Sequence, residues 1–392
     1  MSDLNINNIT DRTGDSGPVI AGVSTVTSTG AFTVPVGPTE MRGGRGRGVF
    51  AGNWNPTVLN TIDYIEIATT GNAVDFGDLP IVSYMAAGCA SATRGLVFPG
   101  YQGSPASYNS KIHYITISSK GGGNDFGDTL NASQNGSGAC SDSTRAVRAQ
   151  GSVSPLSTNL LEFCTIATTG DTSEFGDLTY LTGQMAGSFA SPTRGIFAGG
   201  GPGNGTNIIN YITIQTLGDA KDFGDLTDGI RKEGTGASNS TRGLFMGGSG
   251  PGSNDTVDYI TIATVGNATD FGNLSGSTEL AAGVASGTRA CAGGGTTPTK
   301  INVIDYFTIA TTGNSADFGD LSINNGFCAS VTNSIRGAVT INDAPNYYNT
   351  IEYITIATLG DAKDFGDSDP TGSGKGHGDF PSSMSDSHGG TT

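Results

Sequence analysis

One phrase of about sixteen residues returns seven times in this 392-residue chain, and any fold it adopts must accommodate that. The copy at Tyr259–Leu274 reads YITIATVGNATDFGNL. Aligning the copies on the aromatic before Ile-Thr-Ile gives Tyr64, Tyr114, Phe163, Tyr211, Tyr259, Tyr306 and Tyr353, with steps of 50, 49, 48, 48, 47 and 47 residues. The aromatic of the DFG-like triplet keeps the same register: Phe76, Phe126, Phe175, Phe223, Phe271, Phe318 and Phe365. So does an arginine usually followed by Gly: Arg47, Arg94, Arg145, Arg194, Arg242, Arg289 and Arg336. Three markers sharing one period identify seven copies of one supersecondary unit.

Each unit divides into four short strands. AAGVASGT (281–288) is a run of small residues. RGLFMGG (242–248) is an apolar strand closed by a Gly pair. VDYITIAT (257–264) is β-branched and aromatic, as strands favour. A Gly-Asn turn then leads into TDFGNL, the last strand. No segment sustains a helical period. Four strands in 40–50 residues describe a propeller blade, and seven copies a seven-bladed ring. The expected fold is all-β, a seven-bladed β-propeller at residues 41–392 preceded by a short N-terminal β-arm at 1–40. YITI is apolar on both sides, as required of a blade packed on both faces. The small-residue strand suits the crowded axis.

Ring closure has its own signal. No small-residue strand precedes Arg47, where the chain reads TEMRGGRG. The tail carries MSDSHGGT (384–391), resembling CSDSTRAV (140–147). We expect the C-terminal segment 373–392 to complete the first blade, since an open ring exposes a sheet edge.

The unit resembles a kelch repeat: a Gly pair after an apolar strand, an aromatic some ten residues later, and a second aromatic in the last strand. The Phe of DFG stands where kelch units carry Trp, and the Gly pair is imperfect in units one, two, three and seven. More narrowly, ITIATTGNAxDFGDL with STRGxFxGG resembles a repeat of virion structural proteins in tailed phages of marine bacteria, cyanophages above all. That resemblance implies a virion component associated with a tail or fibre or decorating a capsid. Its implied partners are other virion proteins, in a homo-oligomer or symmetric assembly, and its implied location is the virion.

Composition narrows the partners. The net charge of −16 argues against nucleic acid and against anionic lipid headgroups. No run approaches the length of a membrane span, and the N-terminus lacks a secretory signal pattern. The five cysteines, Cys89, Cys140, Cys164, Cys291 and Cys328, occupy positions that are small and apolar in other units, so they read as core residues rather than disulfides. With three histidines and no metal-binding spacing, no cofactor or metal is expected, and a copper oxidase of the kelch type lacks ligands. Kinase DFG needs a glycine-rich loop, a strand lysine and an HRD loop, all absent from this sequence. GDSGP (14–18) lacks an upstream histidine, and RGGRGRG (42–48) lacks the strand–helix context of a dinucleotide site. Acidic turns such as GDAKDFGD (218–225) read as solvated carboxylates, not calcium loops.

No enzyme is expected. The arginines and DFG aromatics read as structural, with Arg–Asp pairs such as Arg194–Asp177 or Arg242–Asp225 bridging units. Binding is expected on the varied loops, where Trp54, Tyr101, Tyr108, Tyr347 and Tyr348 are candidate contact residues. The alternative to a structural role is an adhesin whose loops recognise a host-surface glycan or receptor. The arm at 1–40 is expected to dock on another protein or to cover the ring's own side.

Overall fold

A computed structural model describes residues 46–55, 57–103, 108–135, 138–153, 157–181, 187–201, 205–250, 254–326, 329–341, 348–368 and 381–386. The arm at 1–40, residues 373–380 and Cys328 lie outside them.

The described residues form seven antiparallel sheets in a ring, a seven-bladed β-propeller. Blade four is representative. Its inner strand Gly187–Ala190 pairs with Arg194–Ala198, then Ile208–Thr213, then the outer strand Lys221–Asp225. In blade one the inner place is taken by Ser382–Ser385, which pairs with Arg47–Trp54. Asp386 then accepts the N–H groups of Gly46 (3.0 Å) and Arg47 (2.8 Å). Asp142 does the same for Thr144 and Arg145 within a continuous turn. One carboxylate thus spans the gap between the two ends of the ring.

The core is a set of seven seams, each shared by two successive blades. Ile62 and Phe76 of blade one pack with Val97 and Ile115 of blade two. Ile65, from the same strand as Ile62, and Ile67 just after it pack instead with Phe365 and Ile351 of blade seven. The strand thus sends isoleucines to both seams, but YITI is not apolar on both sides as expected: its Thr is exposed, as at Thr213 and Thr261.

Seams dictate glycine use. The Gly of each DFG-like triplet has φ between +124° and +149°, at a bulge where the outer strand slips register. A Cβ there would enter the backbone of the next blade's hairpin turn. In return, the carbonyl of each DFG phenylalanine accepts an N–H from that turn at 2.7–3.0 Å, as Gly218 donates to Phe175 and Gly71 to Phe365. The next blade's turn therefore occupies hydrogen-bonding groups on each outer edge strand, which otherwise would invite aggregation. The glycine after the arginine answers a second need. Gly243 makes room for Phe189, Gly337 for Val284 and Gly95 for Met384, all on the preceding inner strand. Where that neighbour is Ala237 or Cys89, the position is Ala290 or Ala146.

The seven arginines do not form the expected Arg–Asp pairs. Arg194 donates to the Ile262 carbonyl (2.7 Å) and Arg242 to that of Ile309 (2.9 Å), each in the following blade. Arg47, Arg94, Arg145 and Arg289 repeat the bond to Ile117, Ile166, Ile214 and Ile356 at 2.6–2.9 Å. Arg336 closes the circle on Ala68 at 3.0 Å. Each guanidinium also lies over its own blade's aromatic, 4.0–4.7 Å from the centroid. Stacked above a ring and aimed at a carbonyl, the guanidinium finds both partners without reaching the DFGD carboxylates. Those aromatics meet the DFG phenylalanines edge-on at 5.6–6.1 Å.

Candidate interaction surface

The antiparallel blades give the ring two unlike faces. The turns after the inner strands and before the outer strands share one face, and these are the repeated phrases. The remaining connections share the other face, where the units differ.

On this loop face the strand Arg47–Trp54 ends at Trp54, paired with Val58 across a short hairpin. The link from blade one to blade two passes through Tyr84, and the loop of blade two through Tyr101. Tyr84 and Tyr101 exchange backbone hydrogen bonds at 3.0 and 2.9 Å. Their rings meet edge-on at 5.1 Å, and the Trp54 ring lies 5.4 Å from Tyr84. All three rings are half-buried. Met85, next in sequence, has φ +57° and turns the chain toward the inner strand. Lys232↔Ser249 and Glu279↔Thr296 are the equivalent bridges in blades five and six, followed by Glu233 (φ +56°) and Leu280 (φ +57°).

Tyr108 and Tyr348 have no ring contact with this cluster among the described residues. Tyr108 is 37% exposed. Tyr348 is half-buried and packs against the core between blades six and seven. Tyr347 lies outside the described residues. Tyr84 was missed because its link reads as a plain connection; its spacing from Tyr101 matches Lys232 to Ser249, which only the structure reveals as a backbone pair.

Sequence reasoning also missed a polar rung at the seams. The residue before each repeat aromatic is polar: Asp63, His113, Glu162, Asn210, Asp258, Asp305 and Glu352. Five of these accept a backbone N–H from the preceding blade: Glu162 from Leu130 (2.9 Å), Asn210 from Thr179 (2.8 Å), Asp258 from Thr227 (3.2 Å), Asp305 from Ser275 (3.1 Å) and Glu352 from Ser322 (3.1 Å). At the first seam the two places hold Pro80, which has no N–H, and His113. The His113 ring is buried, neither nitrogen has a hydrogen-bond partner among the described residues, and desolvation pushes its pKa down.

Two rungs carry buried cations. Arg148 and Glu162, both fully buried, pair at 2.7 Å; Arg148 also donates to Ser133, and Thr172 donates to Glu162. Arg231 pairs with Asp258 at 3.1 Å; burial lowers the arginine's pKa and raises the aspartate's. Cys89, Cys140, Cys164 and Cys291 are buried, and burial pushes the Cys291 thiol up to about 12. A thiol held protonated is a poor nucleophile and a poor metal ligand. Among the described residues no cluster of three or more His, Cys, Asp or Glu side chains could hold a metal ion.

The fold is shared with a solved structure titled "Structure of YjhT". It superposes with a TM-score of 0.54 at 8% identity, covering 70% of this chain and 96% of that one. Likeness at that identity is one of fold alone. No protein-family model matches the chain, and no curated protein matches it. The class is therefore the seven-bladed β-propeller, a rigid ring that commonly mediates protein–protein contacts through its loops.

Proposed function

We propose that this propeller is a non-enzymatic structural protein of a tailed-phage virion, associated with a tail or fibre or decorating a capsid, and that it joins other virion proteins while presenting its loop face for attachment. The observation that carries this reading is the place where the ring closes. Asp386 holds Gly46 and Arg47, so both ends of the ring meet at one turn on the repeated face. The varied loops with Trp54, Tyr84 and Tyr101 lie on the opposite face. A disc that is uniform on one face and variable on the other suits a connector. The repeat phrase and its likeness to phage virion repeats supply the biological setting.

The test is peptide mass spectrometry and cryo-electron microscopy of purified virions from a phage encoding the chain. A seven-bladed disc with its repeated face toward the particle is the expected result. Absence of its peptides from purified particles overturns the reading.

A further inference from the structure

We propose that Trp54, Tyr84 and Tyr101 form a stacking site for a neutral sugar ring. This deepens the attachment part of the function proposed above, and rests on it only for the biological source of the sugar.

The fold does not need aromatic side chains at this bridge. The backbone pair Tyr84↔Tyr101 recurs as Lys232↔Ser249 and Glu279↔Thr296, each followed by a residue of positive φ. Blades five and six make this bridge with polar side chains, so the two tyrosines are not required by the bridge. Trp54, the only tryptophan in the chain, sits beside them from a third segment.

Rigidity is built in beneath the rings. Backbone packs tightly where the three segments cross the first seam. A Cβ at Gly100 would come within 2.7 Å of Ser83 Oγ, and one at Gly103 within 3.2 Å of Val58. Rings held on such a support lose little freedom on binding, which favours affinity from a small contact.

The chemistry selects the ligand. Indole and phenol rings offer an apolar face to the C–H side of a pyranose and a polar edge to its hydroxyls. Three rings at centroid spacings of 5.4 and 5.1 Å make a patch much smaller than a protein interface. The net charge of −16 disfavours phosphorylated and acidic sugars, and no carboxylate is shown among the three rings to hold a cationic one, so the patch suits a neutral sugar.

Trp54 reports on its own site. Purified full-length protein is titrated with a panel of neutral sugars (glucose, galactose, mannose and N-acetylglucosamine oligomers) while tryptophan emission is followed. A saturable shift with at least one sugar is expected. The variant Tyr84→Lys with Tyr101→Ser installs the side-chain pair of blade five and so keeps the bridge; it should weaken binding at least tenfold with an unchanged melting temperature. No saturable change with any sugar at millimolar concentration overturns the proposal, as does unchanged binding in the double variant. If the double variant instead impairs virion assembly while sugars leave the emission unaltered, the trio is a protein contact and the sugar site falls. The virion reading is judged on particles and the sugar site on pure protein, so one can fail without the other.

Discussion

The two faces of this propeller follow different rules. On the repeated face every turn does the same work: an arginine reaches the next blade's carbonyl, and a Gly turn covers the preceding blade's edge strand. On the loop face the same backbone bridge is built with Tyr–Tyr, Lys–Ser or Glu–Thr. Sevenfold repetition is retained where neighbouring blades must fit each other, and side chains diverge where only solvent or a partner faces them. The repeated face should therefore carry stability and the loop face specificity.

Removing residues 381–392 strikes that division hardest. It deletes the inner strand of blade one, buried Met384 and the Asp386 bridge. The loss should exceed the about 2–5 kcal/mol of truncating one buried methionine, and urea unfolding should lose its single cooperative transition. An unchanged midpoint would mean that closure contributes nothing.

Next comes Glu162→Ala, which strands Arg148 in the seam without its anion. Breaking a buried pair costs about 3–5 kcal/mol. Replacing both charges, Arg148→Met with Glu162→Gln, keeps an acceptor for the Leu130 N–H and should recover most of it in the same denaturation experiment.

Arg242→Ala removes a bond to a carbonyl and a stacked ring, together worth about 1–3 kcal/mol. Because Asp225 is not its partner, a double-mutant cycle between Arg242 and Asp225 should give a coupling below about 0.5 kcal/mol. A larger coupling would restore the ion pair that the geometry rejects.

The smallest effect is the pH response of the first seam. Burial lowers the His113 pKa, with Asp125 opposing the shift and Lys111 adding to it. The unfolded chain then binds the proton more readily. Stability from this site is complete above the ordinary histidine pKa of about 6.5 and is lost as pH falls through it toward the folded value. The loss should stay below about 1 kcal/mol at pH 6, and His113→Gln should remove it. A His113→Gln variant with the same pH profile would assign the response to another group.

The ring was legible because its constraints are written in side chains. Aromatics, small inner residues and DFG glycines each mark a packing need, and seven copies make the pattern unmistakable. The arginine's partner was not legible. A backbone carbonyl has no letter, since every residue carries one, whereas the nearby aspartates suggested a pair that the chain does not make. The contact surface was half legible. Trp54 and Tyr101 stood out by residue type, but Tyr84 joins them only through a backbone bridge, and Tyr348 packs against a different seam. The polar rung was visible as a periodic Asp, Glu, Asn or His before each aromatic, yet its burial is intelligible only once the neighbouring blade supplies an N–H.

The meeting of Gly46 and Asp386 has a topological consequence. The break in the circle lies inside a turn that the other six blades keep intact. The ring has no privileged first blade, so joining its ends with a short linker and opening the turn at Ser240 would yield a circular permutant with the same seven seams.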